Sequence, residues 1–146
     1  MLDFDSDGNL PAGVHELTWE EVAARFGWNE RRRHLLGGLK RALDALKAAG
    51  CERAYIDGSF VTAKDEPGDF DGCWEANNVD PTKLDPVLLE FRPPRVAQKT
   101  KYYGEMFVAS APAERTTMKT FLDFFQGDKN TGGAKGIVAI DIRRLP

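Results

Sequence analysis

The chain has 146 residues and a mass of 16.3 kDa, one domain's worth of chain and enough to bury roughly 70% of its unfolded surface. Its 42% hydrophobic and 29% charged residues exclude a disordered composition. No apolar run approaches the ~20 residues that cross a bilayer, the acidic start is the opposite of a signal peptide, and two cysteines are too few for a disulfide scaffold and fit a reducing cytoplasm. The net charge of −3 conceals a segregation: residues 1–24 carry −6, 25–53 carry +5, 54–91 carry −7 and 92–146 carry +5. Clustered carboxylates bind hard cations, and flanking bases hold phosphate-rich substrates beside them.

In chain order, residues 1–17 read as an arm leading into a single domain over 18–146. Thr18 and Glu21 form a capping box, with Val22 and Phe26 on one apolar face and Gly27 as the stop. A second helix is predicted from Asn29 to Gly50; Leu35, Leu36, Leu39, Leu43 and Leu46 form its apolar stripe, and Arg31, Arg32, Arg33, Lys40, Arg41 and Lys47 are placed mostly off it. Strands are expected at Arg53–Asp57, from Asp69 through Trp74, at Glu105–Ala109 and at Ile137–Ile140. Further helices are expected at Pro81–Phe91 and Phe121–Gln126, a break at Arg92–Arg95 and a mobile loop at Gly127–Lys135. The expected architecture is α+β (α/β), a small mixed sheet of about four strands with helices packed on it.

The segment Tyr55-Ile56-Asp57-Gly58-Ser59-Phe60-Val61-Thr62, followed by Pro67-Gly68-Asp69-Phe70-Asp71, carries the chemistry. Side chains alternate across a strand, so Asp69 and Asp71 share a face, roughly 7 Å apart at Cα. From there both carboxylates reach shared divalent ions, which sit ~3.5–4 Å apart in two-metal sites. Two like charges on one face are costly without a cation. Gly58 permits close approach of a phosphate, and Ser59 adds a hydroxyl donor.

Gly58-Ser59, the nine-residue gap and Asp69-Phe70-Asp71 resemble the signature of the DNA polymerase beta-like nucleotidyltransferases. The chain is similar to their minimal bacterial members, the class that includes toxin-antitoxin enzymes, and the wider stretch, residues 31–75, resembles an uncharacterised family of such predicted enzymes. The resemblance implies a nucleotidyltransferase-like core. In it Asp69 and Asp71 would hold two Mg²⁺ ions, with Mn²⁺ as a substitute, and Gly58 and Ser59 the triphosphate. It implies transfer of a nucleotidyl group from a nucleoside triphosphate to a hydroxyl of RNA (tRNA) or protein, with pyrophosphate leaving. A partner protein supplying part of the site is also expected. A third carboxylate on a neighbouring strand usually completes such a site; Glu105 is the first candidate, with Asp123 and Asp141 as alternatives. Lys64 is a candidate phosphate ligand, followed by Lys99, Lys101 and Lys135. A catalytically silent member serving as antitoxin or interaction module is the rival reading; an Asp-x-Asp glycosyltransferase is disfavoured by length.

Other signals are weaker. Asp3-Phe4-Asp5-Ser6-Asp7-Gly8 imitates an EF-hand start, but its twelfth position is Val14, so it reads as a solvated acidic tail. Gly132-Gly133-Ala134-Lys135 lacks the phosphate-loop spacing. His15 and His34 have no partners at ligand spacing. Cys73 and the aromatics at Tyr102-Tyr103 and Phe121–Phe125 are assigned to packing.

Overall fold

Two faces of one sheet organise the chain, as a computed structural model describing residues 2–128 and 130–146 makes plain. Strands β1 (Gly13–Glu16), β2 (Arg53–Asp57), β3 (Phe70–Trp74), β4 (Gly104–Val108) and β5 (Gly136–Asp141) form a mixed sheet in the order β1-β5-β2-β3-β4. β1 runs parallel to β5 and β3 parallel to β4, while β2 is antiparallel to both of its neighbours. The α+β expectation holds. The fifth strand, β1, lies within the segment read as an arm, and Leu10 just before it is buried. Its exposed, four-residue length gave too little alternation to be recognised as a strand.

Helices α1 (Trp19–Phe26), α2 (Glu30–Ala48) and α3 (Val96–Tyr102) surround the main core. The α1 capping box forms as its sequence dictates, and Asn29 caps α2 by accepting from the Arg32 amide at 2.8 Å. Leu35, Leu39, Leu43 and Leu46 pack with Ile56, Phe70, Met106, Val138 and Ile140 from alternate strand positions. The opposite face buries Tyr55, Cys73, Phe107, Ile137 and Ala139 beneath Phe121, Leu122, Phe124 and Phe125 of the short α4 (Phe121–Phe124) and the residue after it.

Two expectations need correction. Pro81–Phe91 is not a helix: only a 3-10 turn forms at Pro86–Leu89, capped by Asp85. Pro86 removes an amide and restricts the residue before it, and the Asp80 carboxylate takes the Thr82 amide at 2.9 Å into a local turn. Conversely, α3 arises directly after the expected break. Its N-terminal flank, Arg95, provides no side-chain cap, so the sequence carried no start signal. Both cysteines are free and buried, and among the described residues no helix is long and apolar enough to cross a membrane.

Candidate metal centre and the adjoining cleft

Strand register builds the site. Asp57 lies opposite Asp71, and Asp71 opposite Glu105, across three adjacent strands. Each is two residues from a member of the aromatic-covered core, namely Tyr55, Cys73 and Phe107. The period of two therefore puts all three carboxylates on that face, where the α4 cover gives way to a cleft. Asp69, just before β3, joins them: one ligand oxygen from each of Asp69, Asp71 and Glu105 falls within 4.8 Å of the others, the one such grouping among the described residues. An all-oxygen set of three carboxylates suits a hard divalent cation. The donor set thus fits the metal expected from sequence, although nothing in it selects Mg²⁺ over Mn²⁺.

Electrostatics support the same conclusion. Burial pushes the Asp71 carboxyl up to about 7, with further upward pressure from Asp69, Asp57 and Glu105 and relief from Lys135. Asp69 is also raised, by burial and then by Glu105. Carboxylates so crowded ionise together only if cations enter. Two protein cations already engage Glu105: Arg95 pairs with Oε2, and Lys99 lies 3.3 Å from Oε1. β4 is held at its open edge by the buried amide of Gln98, whose oxygen accepts from the Met106 amide at 2.7 Å while its nitrogen donates to the carbonyls of Glu90 and Met106.

A cleft of about 650 Å³ opens beside Asp71, lined by Asp57, Gly58, Ser59, Lys64, Lys135 and Phe124 among others. Gly58 has φ +82°, and a Cβ there would lie 2.7 Å from Asp71 Oδ2. Only glycine lets the turn run this close to the carboxylate. Gly58→Ala should cost on the order of 1–3 kcal/mol of stability from this backbone region alone and weaken metal-induced stabilisation, both read by urea unfolding with and without Mg²⁺.

The loop from Ser59 to Gly68 is tied to α2 by two arginines. The Arg32 side chain is wholly buried and donates to the carbonyls of Phe26, Phe60, Thr62 and Lys64 at 2.6 to 3.2 Å, with Ser59 at 3.4 Å. Its guanidinium stacks 3.6 Å over the Trp28 ring, and burial lowers its pKa to about 10, so it stays charged at neutral pH. Arg31 Nε donates to the Pro67 carbonyl at 3.0 Å, and its Nη2 bonds the Gly68 carbonyl. Arg32 was placed off the apolar face; position 32 precedes Leu35 and Leu36 by three and four residues and so faces inward.

Glu105 is the third carboxylate that the structure brings to the pair. Asp141 sits opposite Arg53, at the far end of β2 from Asp57, and is bonded to Arg143. Asp123 is exposed on α4, beside a separate pocket with Thr120 and Ser110. Lys64 lines the cleft through an exposed side chain while its carbonyl accepts from Arg32. Lys135 reaches Asp57 at 3.0 Å, whereas Lys101 pairs with Asp85 away from the cluster. Asp57 is the carboxylate missed by the sequence reading. Its parity with Tyr55 was the available signal, since residues two apart on a strand share a face.

The acidic N-terminal segment is not simply a solvated tail. The Asp5 carboxylate accepts from the Asp7 and Asn9 amides, Gly8 receives the Ala63 amide at 2.8 Å, and Asn9 donates to Asp128 at 2.7 Å. Asp7, Gly8 and Asn9 thus form one wall of the cleft.

No curated protein and no solved structure matches the chain. A protein-family match covers residues 2–141, nearly the whole length, and the chain accordingly belongs to the family of unknown function DUF6932.

Proposed function

We propose that this protein is a metal-dependent nucleotidyltransferase that moves a nucleotidyl group from a nucleoside triphosphate to an acceptor hydroxyl. The observation that carries the reading is the convergence of Asp69, Asp71 and Glu105 within 4.8 Å at the mouth of a cleft containing Gly58 and Ser59. Asp69, Asp71 and Glu105 would hold divalent cations, Mg²⁺ in the first instance. When bound, these supply charge neutralisation at the reacting phosphate and polarise the attacking hydroxyl.

The chain's own residues do the rest. The glycine turn at Gly58 leaves room for phosphate against Asp71, Ser59 offers a hydroxyl, and Lys64 and Lys135 place positive charge along the cleft. Asp57 orients Lys135. The acceptor oxygen forms a bond to the α-phosphorus, the bond from that phosphorus to the bridging oxygen breaks, and pyrophosphate leaves with the electron pair. The hydroxyl proton passes to the carboxylate cluster. Holding the partners in line and neutralising the developing charge provide the acceleration.

The test is incubation with each α-labelled triphosphate, Mg²⁺ and total tRNA or cell extract. Wild type should label a product, and Asp69→Asn should lower the rate at least about 100-fold. Labelling by wild type no greater than by Asp69→Asn would overturn the reading.

One observation favours the rival reading, a silent nucleotidyltransferase-like module serving as an antitoxin: both Glu105 oxygens are ion-paired, to Arg95 and Lys99. That module would bind a partner without transferring label.

A further inference from the structure

The two basic blocks of the sequence meet beside the carboxylates, at a second pocket separate from the larger cleft. That pocket, of about 220 Å³, is lined by Arg31, His34, Gly68, Asp69, Lys99 and Tyr103. It shares no lining residue with the larger cleft: the cleft reaches the acidic pair through Asp71, the smaller pocket through Asp69. In-line displacement requires the attacking and leaving oxygens on opposite sides of phosphorus. With the triphosphate along Gly58, Ser59 and Lys135, the Asp69 side is where an acceptor hydroxyl must enter.

The surroundings of that pocket specify the acceptor's chemistry. Arg31, His34 and Arg41 lie at i, i+3 and i+10 on α2, one stripe of the helix. Gly38 completes the stripe at i+7, and a Cβ there would lie 2.1 Å from the Tyr102 carbonyl oxygen, so the end of α3 crosses α2 at that point. The crossing inserts the Tyr103 ring between two α2 side chains. His34 stacks on it at 4.1 Å with an 18° interplanar angle, and the Arg41 guanidinium lies 4.9 Å from its centroid. Lys99, one turn before Tyr103, adds a cation on the same side and is exposed, as are His34 and Arg41. Three cations, Arg31, Lys99 and Arg41, around the stacked rings of His34 and Tyr103 and beside a pocket too small for a duplex end, match the way single strands are held by phosphate contacts and stacking.

Resting on the nucleotidyltransferase reading, we propose that the acceptor is the terminal hydroxyl of a single-stranded nucleic acid, seated in the Asp69 pocket with its phosphates along Arg31, His34, Lys99 and Arg41. A protein acceptor has no need of this arrangement. The phosphate next to the terminal nucleoside is the group that Arg31 and Lys99 meet first, which places the hydroxyl at Asp69.

Fluorescein-labelled 12-nucleotide single-stranded RNA and DNA, titrated without triphosphate and followed by anisotropy, test the surface independently of transfer. Wild type should bind at least one of them with an affinity that falls as salt rises. Arg41→Glu and His34→Glu should each weaken binding by about tenfold and flatten the salt dependence, while both variants keep the Mg²⁺-induced rise in melting temperature that reports an intact carboxylate cluster. Transfer to the bound strand should be lost when its 3′ end is a phosphate, or when its 5′ end is phosphorylated if the 5′-hydroxyl is the acceptor. Absent or variant-insensitive binding would overturn the inference, as would labelling of protein alone, and in the last case the nucleotidyltransferase reading would survive. Binding that depends on Arg41 and His34 with no transfer from any triphosphate would instead sink the enzymatic reading and leave a nucleic-acid-binding face.

Discussion

Replacing Arg32 by methionine is expected to destabilise the protein by about 3–5 kcal/mol, since each buried carbonyl left without its donor costs about 1–3 kcal/mol. The methylene stem and packing volume are largely kept, so the loss isolates the guanidinium. Four carbonyls, those of Phe26, Phe60, Thr62 and Lys64, lose a donor within 3.2 Å. Buried acceptors left without partners are costly, while the same bonds made to water in the unfolded chain cost nothing. Urea unfolding checks the magnitude. Because three of the four orphaned carbonyls, those of Phe60, Thr62 and Lys64, belong to the turn after Gly58, the same variant should lose Mg²⁺-induced stabilisation even at low temperature, where it remains folded. Arg32→Lys should rescue little, because an ammonium cannot present a planar fork to carbonyls spread over residues 26 to 64. Stability and metal response both near wild type in Arg32→Met would refute the assignment of this arginine as the post that holds the loop.

The second large effect concerns Asp71, whose carboxyl is raised to about 7 by burial and by its acidic neighbours. In the unfolded chain the group releases its proton near its ordinary value of 3.8. Between these values the folded state binds the extra proton, so this group's contribution to stability is complete below pH ~4 and is lost as pH rises through about 7. Raising the group from 3.8 to about 7 corresponds to about 4 kcal/mol. Without divalent ions, Asp71→Asn should therefore be more stable than wild type at pH 8 by several kcal/mol, and the difference should narrow toward pH 4. Added Mg²⁺ narrows the gap: saturation to a hundred times its dissociation constant stabilises wild type by about 2.7 kcal/mol and leaves Asp71→Asn unmoved. Thermal unfolding at pH 5 and pH 8, with and without Mg²⁺, reads both halves. A wild type that gains nothing from Mg²⁺ or Mn²⁺ at pH 8 would refute the metal centre.

These two residues mark the difference between what was legible in the sequence and what was not. Asp71 was legible because a strand's period of two is a local property: Asp69 and Asp71 had to share a face wherever the strand packed. Arg32 was misplaced because a run of three arginines on a helix reads as solvated surface, while the i+3 and i+4 relation to Leu35 and Leu36 puts its middle member inward. Its partners lie 27 to 32 residues away in Ser59, Phe60, Thr62 and Lys64, which local patterning does not reveal.

By itself the sequence determined the capped first helix, the leucine stripe of the second, the strands carrying Asp57, Asp71 and Glu105, and the pairing of Asp69 with Asp71. Each follows from spacing over a few residues, where backbone geometry leaves little choice. Only the tertiary structure decided that the acidic start forms a wall of the cleft and that an edge strand precedes the first helix. It likewise decided which of Glu105, Asp123 and Asp141 meets the aspartate pair, because that depends on β3 and β4 pairing in parallel with Asp71 opposite Glu105. The segregated charges resolve in the same way. The acidic centre supplies three carboxylates of the cluster, Asp57, Asp69 and Asp71, and one basic block contributes Arg31 from α2. The other contributes Lys99 from α3 and Lys135 before β5, brought beside the carboxylates by contacts far apart in the chain.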